Sequence, residues 1–256
     1  MQFFLAANWK MHLYPDQADA LLMKLRQLEE SEGPRPFPVV LCPPYIYLSR
    51  AIQLLAGASY KVGAQNGYPG EFGAYTGEIS MAQLKAMGCT HVIIGHSERR
   101  QYFGESGTLL RDKVRDAQRR DLTAIYCVGE TKAQREAGET FHVLQAQLEE
   151  ALGEGGILWE KLVIAYEPVW AIGTGLNATP EQAQEAHAFI RAWLKKAGAP
   201  AREIPILYGG SIKPSNAEGI FAQPDVNGGL VGGASLIATD FWAIAAALQK
   251  AKGTPG

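Results

Sequence analysis

A chain of 256 residues suits one large domain, and an eight-fold βα barrel takes about 250 residues. Hydrophobic residues make up 47% and charged residues 20%, the balance of a globular protein with a sizeable core. Lys+Arg 24 against Asp+Glu 26 leave a net charge of −2, with no basic excess to hold nucleic acid or an anionic membrane, so any anion binding must be local.

Cys42, Cys89 and Cys127 are odd in number and widely spaced, without a C-x-x-C pair. That pattern argues against a disulfide framework or a zinc site and fits a reducing cytoplasm. The apolar run 3–7 is too short for a signal-peptide core and lacks a basic lead-in. No stretch approaches the ~20 apolar residues of a membrane span.

Short apolar runs alternate with longer segments of helical period. The predicted strands are 3–7, 39–42, 61–64, 91–95, 123–128, 162–166, 206–208 and 229–231. Behind the first, Ala18, Leu21, Leu22, Leu25 and Leu28 form a helical stripe. Behind the sixth, Thr179-Pro180-Glu181-Gln182 reads as a capping box with proline in the first turn. It opens a second stripe through Ala183, Ala186, Ile190, Trp193, Leu194 and Ala197. Strands this apolar, separated by helices, predict a parallel sheet covered on its faces. No Ser/Gly/Pro-rich linker divides the chain. The expectation is therefore α/β, an eight-stranded parallel βα barrel forming one domain over 1–256, with 251–256 as a loose tail.

The chemically suggestive residues fall just after strands, on the face where βα loops build a barrel's active site. Asn8 and Lys10 follow the first strand. A lysine there needs a carboxylate or an anionic ligand beside it, and Glu98 is the candidate carboxylate. His96, Ser97 and Glu98 follow the fourth. A lone histidine is more often structural than catalytic, but Ser97 and Glu98 read as a helix start, whose free N–H groups disfavour a protonated imidazole. A neutral His96 can donate a hydrogen bond to a ligand oxygen as charge develops there. His91 and His96 point to opposite faces with no Cys or His at ligand spacing, so no metal is expected. The pairs Arg99-Arg100 and Arg119-Arg120 read as solvated helix charges, and His12, His142 and His187 as structural or surface residues.

Glu167 follows the sixth strand. Alone it would be a solvated loop carboxylate, but Val169-Trp170-Ala171-Ile172 behind it is apolar where an exposed loop should be polar. With Pro168 before and Gly173-Thr174-Gly175 after, this segment reads as a lid that excludes water. Glu167 is then a general base whose proton affinity rises on shielding. The run Gly173 to Ala178 also satisfies G-x-G-x-x-A, but it starts too far from the strand, and Lys195 and Lys196 stand where a ribose-binding acid belongs. No dinucleotide cofactor is expected. Gly209-Gly210-Ser211 and Gly232-Gly233 follow strands seven and eight, where backbone N–H groups can meet a phosphate.

Ala7-Asn8-Trp9-Lys10-Met11, Ile94-Gly95-His96-Ser97-Glu98-Arg99-Arg100, the stretch from Ala165-Tyr166-Glu167-Pro168 to Gly175, Tyr208-Gly209-Gly210-Ser211 and Leu230-Val231-Gly232-Gly233-Ala234-Ser235-Leu236 resemble, in order, the segments of the triosephosphate isomerase family. The likeness runs from Phe3 to about Leu248. It implies a TIM barrel that interconverts dihydroxyacetone phosphate and D-glyceraldehyde 3-phosphate in glycolysis and gluconeogenesis. By position it implies Glu167 as the base, His96 as the neutral electrophile, Lys10 as the cation on the substrate, and Asn8 as a substrate contact. Glu98 would support Lys10, with Ser97 beside it. Backbone N–H groups of Gly173, Ser211, Gly232 and Gly233 would hold the phosphate.

The resemblance also implies a homodimer through the loop 65–78, which is glycine-rich and carries Tyr68, Phe72 and Tyr75. Two departures stand out: Leu176 replaces the lysine usual at the lid's exit, and Asn227 replaces a common aspartate, which would cost Arg191 a charge partner. The competing readings are another phosphate-binding barrel isomerase or lyase, or a barrel that binds phosphate without catalysis.

Overall fold

The computed structural model describes residues 2–172 and 178–253. Eight short strands, β1 (Phe4–Asn8), β2 (Val39–Cys42), β3 (Lys61–Ala64), β4 (His91–Ile94), β5 (Thr123–Val128), β6 (Leu162–Tyr166), β7 (Ile206–Tyr208) and β8 (Gly228–Val231), pair in chain order. Every pairing is parallel, and β8 closes on β1 with Phe4 opposite Gly228 and Ala7 opposite Val231. The expected eight-stranded barrel is thus closed.

Strand alternation sorts the side chains into two cores. Phe4, Ala6, Val40, Ile93, Ile125, Val163, Leu207 and Leu230 fill the barrel interior together with Cys42 and Cys127. Leu5, Ala7, Leu41, Ile94, Tyr126 and Ile164 face outward, into the helices. The first of these helices, α1 (Pro15–Glu32), buries Ala18, Leu21, Leu22 and Leu25, but Leu28 lies only partly buried and Glu29 takes the inner place. The Glu29 carboxylate tolerates this because it accepts the Ser59 N–H at 3.0 Å as well as the Ser59 hydroxyl.

Between the strands lie α2 (Leu48–Leu54), α3 (Met81–Met87), α4 (Ser97–Phe103), α5 (Gly107–Arg119), α6 (Lys132–Glu136), α7 (Thr140–Leu152), α8 (Pro180–Lys196) and α9 (Pro214–Phe221). The last, α10 (Ala238–Ala251), extends one residue into the tail expected to be loose. The Thr179–Gln182 capping box opens α8 as read from the sequence.

Several sequence expectations shift, β8 beginning one residue early at Gly228. β1 runs one residue later than predicted, because Asn8 still pairs with Cys42, so Asn8 ends the strand instead of following it. β4 stops at Ile94, where Gly95 turns the chain with φ +71°. Arg99 and Arg100 are not solvated. Arg99 pairs with buried Glu105 at 2.7 Å, while Arg100 pairs with Glu150 at 2.5 Å and donates to the Gly95 carbonyl at 3.0 Å. They tie α4 to the segment before α5 and to α7, which fixes the helix that presents His96.

Candidate active site

The strand ends bring the chemistry to one mouth of the barrel. After β1, Trp9 is fully buried, and Lys10 adopts φ +52°, a left-handed conformation costly for a residue with a side chain. Two contacts hold it there. Lys10 N–H donates to Asn8 Oδ1 at 3.0 Å, and Gln65 Nε2 donates to the Lys10 carbonyl at 2.7 Å. The ammonium then meets Glu98, with Nζ 2.6 Å from Oε1, the partner anticipated for it. A Cβ on Gly232 would lie 3.6 Å from Lys10 Cε, so the lysine stem runs beside the turn after β8.

His96 is the N-cap of α4 and is nearly buried. Its Nδ1 accepts the Glu98 N–H at 3.3 Å, with Glu98 Oε2 3.5 Å away, and its Nε2 lies 2.9 Å from Glu167 Oε1. Glu167, directly after β6, is 1% exposed. It also accepts the Ser97 N–H on Oε2 at 2.9 Å and the Ser97 hydroxyl on Oε1 at 3.1 Å.

This satisfied carboxylate overturns the expected rise in proton affinity. Burial pushes Glu167 up, but the His96 and Ser97 contacts together outweigh it and hold the carboxyl below its ordinary 4.5. His96 shows the counterpart: burial pushes it down, and the adjacent Glu167 reverses this to a net rise above 6.5. The Glu167–His96 contact contributes to both shifts, with Ser97 adding to the first and Glu98 to the second. An Nδ1 that receives a backbone N–H at the start of a helix belongs to a neutral ring, and when Glu167 moves off only Glu98 still pulls His96 upward.

A cleft of about 630 Å³ gathers Asn8, Lys10, His96, Ser211, Gly232 and Gly233, with Ile172 from the lid segment on its wall. Glu167 and Ser97 instead line an adjoining hollow of about 700 Å³ beside Trp170, with Ile172 shared between the two. The carboxylate therefore stands at the partition, bonded across it to His96. The diglycine after β7 fits against this base: a Cβ on Gly209 would lie 2.9 Å from Glu167 Cγ, and one on Gly210 would strike Tyr208 Oη. Only glycine allows that approach. Gly173 and Leu176 lie outside the described residues.

The sequence reading passed over Glu130. It is fully buried two residues after β5, and it accepts Trp170 Nε1 at 2.8 Å and the Tyr166 hydroxyl at 3.1 Å, with Arg135 Nη1 at 3.2 Å. It holds the apolar segment after Pro168, a 3-10 turn over Val169–Ala171. Its position just after a strand is the signal that would have found it. Gln65, likewise overlooked, follows β3 directly. Asn227 does not strip Arg191 of charge: Arg191 Nε pairs with Asp225 at 3.3 Å while Asn227 Oδ1 accepts from its Nη2.

Residues 3–248 match the family model described as Triosephosphate isomerase. The chain is 49% identical over 245 residues to the triosephosphate isomerase of Shewanella frigidimarina (strain NCIMB 400), an overlap covering 92% of this chain and 93% of that protein. It is 48% identical over 245 residues to that of Shewanella denitrificans (strain OS217), with the same coverage. A barrel closed in chain order, with such matches over nearly its whole length, places this chain in the triosephosphate isomerase family.

Proposed function

We propose that this chain interconverts dihydroxyacetone phosphate and D-glyceraldehyde 3-phosphate through an enediolate, with Glu167 moving the proton. The observation that carries the mechanism is the convergence of Glu167, His96 and Lys10 at one mouth of the barrel, beside the diglycine turns after β7 and β8. Removing a proton beside a carbonyl leaves an anion that needs donors already in place. His96 Nε2 and Lys10 Nζ fill that role, each contributing about 3 kcal/mol if it acts as an oxyanion-hole donor does. Asn8 completes the wall beside Lys10, and Ser211, Gly232 and Gly233 offer backbone N–H groups to the phosphate.

The substrate-free contacts supply the activation. Glu167 now spends its lone pairs on His96 and Ser97, which keep it weakly basic. A substrate that takes the His96 hydrogen bond removes the largest influence holding the carboxyl down, so burial counts for more against the Ser97 contacts that remain. Its proton affinity then rises at the moment it is needed. Val169–Ala171, moored on Glu130, is the fixed root from which the lid extends. An assay coupling product formation to a nicotinamide-dependent reaction tests the activity directly. Absence of turnover with either triose phosphate would leave only the phosphate-binding reading.

Assembly follows the same reading, as a homodimer through the loop 65–78. Phe72 and Tyr75 are exposed at 83% and 53%, while the Tyr68 ring packs against Tyr75, tilted, with centroids 4.4 Å apart. Met11, Tyr14, Ile46, Tyr102 and Phe103 are also exposed in the segments after β1, β2 and β4, while that loop follows β3. A run of exposed aromatic and apolar side chains suits a self-complementary interface. The cytoplasm is the compartment we assign, on the three free buried thiols. Among the described residues no helix is long and apolar enough to cross a membrane.

A further inference from the structure

The turn after β7 is closed by a side chain that touches neither the cleft's catalytic groups nor the barrel core. Asn216, in the first turn of α9, accepts the Lys213 N–H on Oδ1 at 2.8 Å and donates from Nδ2 to the Ser211 carbonyl at 3.1 Å. The Asn216 N–H returns to the Lys213 carbonyl at 3.1 Å, so the segment from Ser211 to Asn216 is a closed clip. Within it, Ile212, 4% exposed, is pressed against Gly229 of β8.

The carbonyl matters because of its sign. A peptide oxygen carries partial negative charge, and in a water-poor cleft it would repel a phosphate dianion. Upstream, the Gly209 N–H is held by the Tyr166 carbonyl at 2.7 Å; downstream, the Ser211 carbonyl is held by Asn216. The hydrogen bond from Asn216 commits the Ser211 oxygen to α9, away from an anion bound to the Ser211 N–H. We infer that Asn216 is a positioning residue for phosphate, acting through the Ser211 backbone. This rests on the phosphate site proposed above.

The test compares Asn216→Ala with the native chain on two substrates: the triose phosphates, and D-glyceraldehyde, which has the same reacting carbons but no phosphate, followed by proton exchange in deuterated water. Inorganic phosphate serves as an inhibitor. KM for the triose phosphates and the inhibition constant of phosphate should each rise about fivefold, the worth of one neutral hydrogen bond. The kcat, and the exchange rate with D-glyceraldehyde, should stay near the native values. Gln83→Ala, which removes the equivalent cap from α3, should leave every constant unchanged.

If both substrates lose activity together, or if phosphate inhibition is unaltered, Asn216 is only a helix cap and the inference fails. Asn216→Ser provides the same comparison should the alanine variant not fold. A native chain that turns over neither triose phosphate would instead defeat the underlying activity, a separable result.

Discussion

His96 Nε2 stands 2.9 Å from Glu167 Oε1, so the proposed electrophile and the proposed base are bonded to each other before any substrate arrives. A substrate oxygen that takes the His96 hydrogen bond must displace the carboxylate, and that displacement points the base at its task. Binding and activation become one exchange of partners.

Glu167→Gln keeps the side chain's shape and removes its basicity. Turnover should fall by about 10³-fold, the usual reach of a general base. Inhibition by inorganic phosphate should persist, because the turns after β7 and β8 are untouched. A steady-state assay of the purified variant checks both, and a near-native rate would exclude Glu167 as the base.

Ser97→Ala should move the acid limb of the pH profile. The free enzyme needs Glu167 ionised, and its carboxyl is held below 4.5, so kcat/KM declines only as pH falls through that depressed value. The Ser97 hydroxyl is one of the groups that depress it. Removing it raises the carboxyl's pKa, and the limb shifts toward higher pH. A limb in the same place or lower would show that the hydroxyl does not bias the base.

His187 is fully buried and edge-on to Tyr166, and burial pushes it from 6.5 down to about 3. Between those values the unfolded chain binds a proton at this site that the folded chain refuses, so stability falls as pH falls below 6.5. From neutral pH to about pH 5 the loss from this group should be about 2 kcal/mol. Urea unfolding of His187→Gln should show a correspondingly flatter dependence over that range; an equal slope in both proteins would contradict it.

Phe72→Asp places a charge on the most exposed aromatic of the loop 65–78. We expect sedimentation equilibrium to report the native chain as a dimer and the variant as a monomer over micromolar concentrations. Equal masses for the two would remove Phe72 from the interface.

Much of the site was legible because a barrel puts its functional groups immediately after apolar runs. Lys10, His96, Glu167, Ser211 and Gly232 could be located by counting strands. What the sequence could not convey depends on partners distant along the chain. The depressed Glu167 follows from donors at 96 and 97, some seventy positions away. The left-handed Lys10 depends on Gln65, and Asn8 lies inside β1 only because Cys42 continues the ladder beside it. Arg100 looked solvated because nothing local announces Glu150.

The pairing of β1 with β8 joins the two ends of the chain, Leu5 opposite Gly229 and Ala6 opposite Leu230. Lys10 and Gly232 become neighbours only through that last seam. On the ribosome, β1 must therefore emerge with an unpaired edge and keep it until nearly the whole chain has been made. An incomplete chain would expose that edge to other nascent chains, and truncation before β8 would leave an aggregation-prone sheet without the phosphate corner.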